Sequence, residues 1–253
     1  MDTKINSRGQ VTIFVILAIL IVVIIIAGFY FLGRFNSQKI ESTNAPEYID
    51  KCVRDSVEPS VSLVLANGGV INPSLFILYK SQKYNYLCYQ KNYYLACVNY
   101  FPLLKYTIES EIKKNSEVKV RECFNSLKAE LEKKNFAVDE GQMNWSVELV
   151  PGKVLIKINR RIAVTKGDNS QSFTKFNSEI LSPIYELQNT AHEIANQESQ
   201  YCNFEYNGFM LLYPEYKITR IDYSDSKLYK VINRQSGKEF KFAVRSCAFP
   251  PGL

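Results

Sequence analysis

Six cysteines carry the most readable chemistry in this chain: Cys52, Cys88, Cys97, Cys123, Cys202 and Cys247. No two are spaced CxxC, so a zinc cage of the usual kind is not indicated. An even number of cysteines, all of them beyond residue 33, points to disulfides and an oxidising compartment; the alternative reading is buried free thiols in a cytosolic domain. Six cysteines allow fifteen pairings. Cys88 and Cys97 are near enough to close a short loop. Cys52 and Cys123 each fall on the apolar face of an expected helix and are the preferred long-range pair. Cys202 and Cys247 bracket the C-terminal segment and can staple it.

The remaining reactive groups suggest little catalysis. His192 is the single histidine, and His192-Glu193 resembles the start of a zinc-protease helix. The second ligand would fall at position 196, which is Asn196, so that motif is rejected. Asp222 and Asp225 lie in a turn-like stretch, where carboxylates face water and do not make a glycosidase pair. There is no P-loop, GxGxxG or GxSxG pattern. No catalytic residue, metal or cofactor is therefore expected. Arg160 and Arg161 are read as solvated strand charges. Asn144-Trp145-Ser146 is a glycosylation sequon that chance alone could supply.

Tyrosines 79, 84, 86, 89, 93, 94 and 100 are interleaved with Lys80, Lys83 and Lys91. Such a surface can stack sugars while its lysines meet anions, which makes Lys83, Tyr84 and Tyr86 the candidate binding surface. The competing reading is that tyrosine simply suits half-wet strands. The net charge is +6, spread along the chain among acidic residues. That balance demands no polyanion, and no nucleic acid is expected as partner.

The element that positions everything else is apolar. Residues 11–32 read VTIFVILAILIVVIIIAGFYFL and contain no charge. As a helix they span roughly 33 Å at about 1.5 Å per residue, enough for a bilayer core of about 30 Å. The expected organisation is a basic leader over 1–10, a transmembrane helix over 11–33 and a juxtamembrane linker over 34–45. A helical region with a tyrosine-rich hairpin follows over 46–135. Residues 136–253 should form an antiparallel sheet, one helix and a C-terminal hairpin. The fold class is thus α+β: an N-terminal transmembrane helix, then an extracytoplasmic head of antiparallel sheet packed with helices.

Local signals fill in the head. Asn44 and Pro46 open a helix that Pro59 should kink or split, and Asn67-Gly68-Gly69 should stop it. Asn115-Ser116 should break the next helical stretch in two. Tyr93 to Val98 is a candidate third strand. A period of two runs from Trp145 to Val164, turning at Pro151-Gly152 and Gly167-Asp168-Asn169. A helix is expected from about Ser178 to Glu198, packed across that preceding sheet, with Ser182-Pro183 as an alternative cap. Gln235-Ser236-Gly237-Lys238 reads as a hairpin turn.

The junction Arg8-Gly9-Gln10-Val11-Thr12-Ile13-Phe14 is more specific. It resembles the class III signal of archaeal type IV pilins and pilin-like proteins. The resemblance implies cutting after the basic-Gly pair Arg8-Gly9, a new N-terminus at Gln10, and a hydroxyl position at Thr12. The family usually carries Glu at the fifth mature position, where this chain has Phe14, which speaks against a main filament subunit. An uncleaved signal anchor is the alternative reading of the same residues.

These features imply a single-pass membrane-anchored surface protein with a pilin-like structural, adhesive or minor-pilin role. Its N-terminus is expected in the cytoplasm and its C-terminal domain outside. Its expected partners are the lipid bilayer along residues 11–33 and, through lateral helix contacts, itself or other pilin-like subunits. The alternatives are a receptor-like extracytoplasmic binding module for a sugar or polyanion, and an extracytoplasmic enzyme of unrecognised type.

Overall fold

The computed structural model describes residues 44–250, together with Leu17 and residues 19–23. The chain divides into two units, 1–41 and 42–253. Leu17 and 19–23 are helical, with the aliphatic side chains half exposed. Arg8, Gly9 and Gln10, and most of the expected transmembrane helix and linker, lie outside the described residues. Among the described residues, no helix is long and apolar enough to cross a membrane.

The second unit is α+β and rich in antiparallel sheet. It begins with helix α1 (Ala45–Ala66), which buries Ile49, Val53, Val57, Val61 and Val64 on one stripe. The helix runs through Pro59 without being split. Pro59 sits on the exposed side, so the Asp55 carbonyl it deprives of a hydrogen bond can be solvated instead. Gly68 and Gly69 end it with φ of 69° and 92°. A Cβ on Gly68 would lie 2.8 Å from the Lys241 carbonyl oxygen, so glycine is required there by contact as well as by conformation.

Helix α2 (Leu104–Lys133) is continuous across Asn115-Ser116, contrary to the expected break. The two polar residues are satisfied across the interface rather than by the local backbone. Ser116 Oγ meets Ser60 Oγ at 2.8 Å, and Asn115 Nδ2 donates to the same Ser60 Oγ at 2.8 Å. The Cys52–Cys123 disulfide joins the same two helices. Position 52 faces 123 and 60 faces 116, so α1 and α2 run antiparallel.

Between the helices lie β1 (Phe76–Tyr79), β2 (Gln82–Tyr89) and the two-residue β3 (Val98–Asn99), which is shorter than the strand expected from Tyr93. After α2 come β4 (Ala137–Glu140), β5 (Asn144–Val150), β6 (Lys153–Lys166) and β7 (Asn169–Leu181). The last elements are α3 (Ile184–Tyr201), α4 (Tyr206–Leu212), β8 (Tyr216–Tyr223), β9 (Ser226–Asn233) and β10 (Glu239–Arg245).

The strands form two sheets. In one, β4 and β5 line one edge of β6 and β7 lines the other, all antiparallel. Its buried face carries Trp145, Val147, Leu149, Val154, Ile156 and Ile158, the period-two set read from the sequence. The other sheet has the order β1-β2-β10-β9-β8, with β3 on β2. Here β10 pairs with β2 in parallel, while the remaining pairs are antiparallel. The tyrosine-rich hairpin and the C-terminal hairpin therefore share one sheet, and residue 135 is no boundary of the fold.

One expected helix start is corrected. β7 runs to Leu181, and the helix begins at Ile184 after Ser182-Pro183. Phe176, Ser178 and Ile180 point inward alternately, so these residues obey a period of two, and only Ile184 onward obeys 3.6. The packing is corrected too. α3 packs more against β10, β2 and β9 than against β5 and β6.

Candidate functional site

The C-terminal end of α3 meets β8, β9 and the segment after β10 at a cleft of about 470 Å³. Cys202, Asn203, Arg220, Asp222, Lys227 and Cys247 line it. The Cys202–Cys247 disulfide closes one side. Both half-cystines have left-handed backbone, with φ of 55° and 46°. Cys202 is the C-cap of α3, a place where glycine is usual.

A buried polar network underlies this cleft. The Glu198 side chain is completely buried. Tyr229 OH donates to Glu198 Oε1 at 2.5 Å, and Lys227 Nζ sits 2.6 Å from Oε2. Lys227 also donates to the Cys202 carbonyl. Ser246 Oγ donates to the Glu198 carbonyl at 2.7 Å and accepts from the Cys97 N–H at 3.0 Å. One helix end is thus tied to β9, to the Cys88–Cys97 loop and to the residue before Cys247.

A second network runs alongside. Arg245 Nε donates to Asp225 Oδ2 at 2.7 Å, and its Nη1 donates to the carbonyls of Gln90 and Lys91. Its guanidinium lies 5.0 Å from the Tyr93 ring centroid. Asp225 Oδ1 accepts from Ser226 Oγ, which also meets Tyr86 OH at 2.8 Å. At the rim, Arg220 Nε donates to Asp222 Oδ1 at 2.9 Å.

The arrangement ties the end of α3 to the neighbouring strands. Lys227, Arg220 and Arg245 each have a carboxylate partner, and the sulfurs are in a disulfide. Among the described residues, no cluster of histidine, cysteine, aspartate and glutamate could hold a metal ion. Burial, reinforced by the Glu198 carboxylate, holds the Tyr229 phenol far above its ordinary range.

That shift has a definite sign for stability. In the unfolded chain Tyr229 loses its proton near pH 10, while in the folded chain it stays neutral. Its contribution is therefore complete below about pH 10 and is lost progressively as pH rises above it. Tyr229→Phe should remove up to about 1.4 kcal/mol per pH unit from the slope of unfolding free energy above pH 10. Denaturant titrations from pH 8 to 12 on both proteins read this directly. Equal slopes would show that the phenol is not held neutral.

The sequence-derived site residues fare differently. The six cysteines are brought together as Cys52–Cys123, Cys88–Cys97 and Cys202–Cys247. The binding surface of Lys83, Tyr84 and Tyr86 is not formed. Tyr84 and Tyr86 are 1% and 6% exposed and belong to a core cluster with Leu228 and Ala243. Leu75, Ile77 and Tyr79 pack against the same cluster, and burial pushes both phenols up. Lys83 alone stays exposed, over the Phe76 ring at 4.7 Å.

Arg160 is not a solvated charge either. Its side chain is 11% exposed, pairs with Glu140 at 2.8 Å and lies over the Phe124 ring. Arg161 faces water beside Asp139. His192 Nδ1 is 3.4 Å from Asn196 Nδ2. Asp225 is drawn into the Arg245 pair rather than left in solvent.

Sequence reasoning missed Glu198, Lys227, Tyr229 and Arg245. One signal was present. Glu198 continues the buried stripe Leu187, Ala191, Ile194, Ala195 at helical spacing, so a carboxylate was placed on the buried face. A carboxylate there needs partners, and nothing local in the sequence names them. Compared with family models, curated proteins and solved structures, the chain matches none.

Proposed function

We propose that this is a single-pass, membrane-anchored surface protein of the pilin-like kind. Its leader is cut after Gly9, its apolar helix stays in the bilayer, and its disulfide-braced head stands outside the cell. One observation carries the reading: Arg8-Gly9-Gln10 abuts 22 residues, 11–32, that contain no charge. Two others support it. All six cysteines lie beyond that run and are paired, which suits an oxidising compartment. The helical aliphatic residues Leu17, Ile19, Leu20, Ile21, Val22 and Val23 are 50–58% exposed, a surface that lipid or a neighbouring helix would cover.

Phe14 in place of the usual acid favours a minor or non-polymerising role. The tyrosine–lysine receptor reading loses its main surface, since Tyr84 and Tyr86 are in the core. Protease added to unbroken cells tests the topology. The head should be digested while a membrane fragment around residues 11–33 survives. A head that resists until the cells are lysed would place it inside and end the proposal. In the same cells, Gly9→Val should leave the leader attached, seen as a heavier N-terminal peptide.

A further inference from the structure

β7 is a 13-residue strand that pairs on one side only, with β6. Among the described residues, no strand pairs with its other side. Natural edge strands are usually guarded by being short, by proline, by bulges or by repelling charges. β7 is long and holds neither proline nor glycine. Its charges are Lys175 and Glu179, with Asn177 midway between them. All three are exposed, on the face opposite the buried Phe176, Ser178 and Ile180. We propose that this edge pairs antiparallel with the same edge of a second copy of the chain, about a two-fold axis through Asn177.

The choice of occupant rests on self-complementarity. With the axis at Asn177, residues equally far before and after it lie opposite one another. Lys175 of each copy then faces Glu179 of the other. An axis at Lys175 or at Glu179 would set like charges opposite each other, which opposes pairing. Glu179 Oε2 already holds Lys153 Nζ at 2.8 Å, which leaves Oε1 for the second copy. Leu181, 85% exposed on the same face, falls opposite position 173 of the second copy. The two sheets would join into one that continues across the axis. This inference does not depend on membrane anchoring.

Cysteine placement tests it with a positional readout. Directly opposite residues in an antiparallel pair have Cα atoms about 4.5–5.5 Å apart, inside the roughly 4.4–6.8 Å that a disulfide spans. All six native cysteines are paired, so Asn177→Cys introduces the one free thiol. The full chain, purified in detergent and treated with a mild oxidant, should run mostly at twice its mass on a non-reducing gel. Lys175→Cys alone should stay monomeric, because its own copy sits about 13 Å away along the partner strand. Co-expressed Lys175→Cys and Glu179→Cys chains, carrying different tags, should cross-link to each other. Gln171→Cys, exposed on the same strand but far from the axis, should not cross-link. Asn177→Cys that keeps one titratable thiol, intact native disulfides and a monomer mass would overturn the proposal. So would a Gln171→Cys dimer formed as readily as the Asn177→Cys dimer.

Discussion

Replacing Glu198 by alanine should destabilise the head by about 3–5 kcal/mol, the range seen when one partner of a buried ion pair is removed. The reason is what stays behind. Lys227, with only 15% of its side chain exposed, keeps its charge without its carboxylate, and the fully buried Tyr229 hydroxyl loses its acceptor. A domain of ordinary stability has about 5–15 kcal/mol in total, so the loss is a large share of it. The double variant Glu198→Ala with Lys227→Met should recover part of the loss, because no charge is then stranded. Urea unfolding of the three proteins measures both effects. A loss below about 1 kcal/mol for the single variant would mean the pair behaves as an exposed one.

Removing Cys52–Cys123 should be comparably costly. Replacing both cysteines by alanine releases a loop with a sequence separation of 71 residues. Loop-closure entropy for that length corresponds to about 4 kcal/mol, against about 2.5 kcal/mol for the separation of nine between Cys88 and Cys97. Cys202–Cys247, with a separation of 45, falls near the larger value. At about 2–4 °C per kcal/mol for a unit of this size, losing the α1–α2 bridge should lower Tm by roughly 8–16 °C. Thermal melts of the three double-alanine variants give the ranking. If the Cys88–Cys97 variant melts lowest, stapling of long loops is not what these bridges contribute.

The legible parts of this molecule are those where neighbours in sequence decide. The stripe Ile49, Val53, Val57 and the alternation Trp145, Val147, Leu149 fix an element and its buried face without reference to anything distant. The misreadings share one cause, a tertiary partner that overrides a local signal. Asn115-Ser116 looks like a break until Ser60 satisfies it. Ile180, Leu181 and Ile184 mimic one helical stripe although a strand ends between them. Tyr84 and Tyr86 look like a surface because the residues they pack with, Leu228 and Ala243, lie more than 140 residues away in the chain; Ala243 pairs with Tyr86. The Glu198 network has the same character, since its partners Lys227 and Tyr229 lie on a strand no local pattern connects to α3.

The central claim is that the chain leaves the cytosol, loses its leader and keeps a fully disulfide-bonded head. One intact-mass measurement tests it, made on protein acid-trapped from the cells that produce it and alkylated under denaturing conditions. Without reductant, the mass should be that of a chain beginning at Gln10 with no alkyl group attached, and six groups should appear only after reduction. A chain beginning at Met1 that takes up six alkyl groups without reductant would contradict the account.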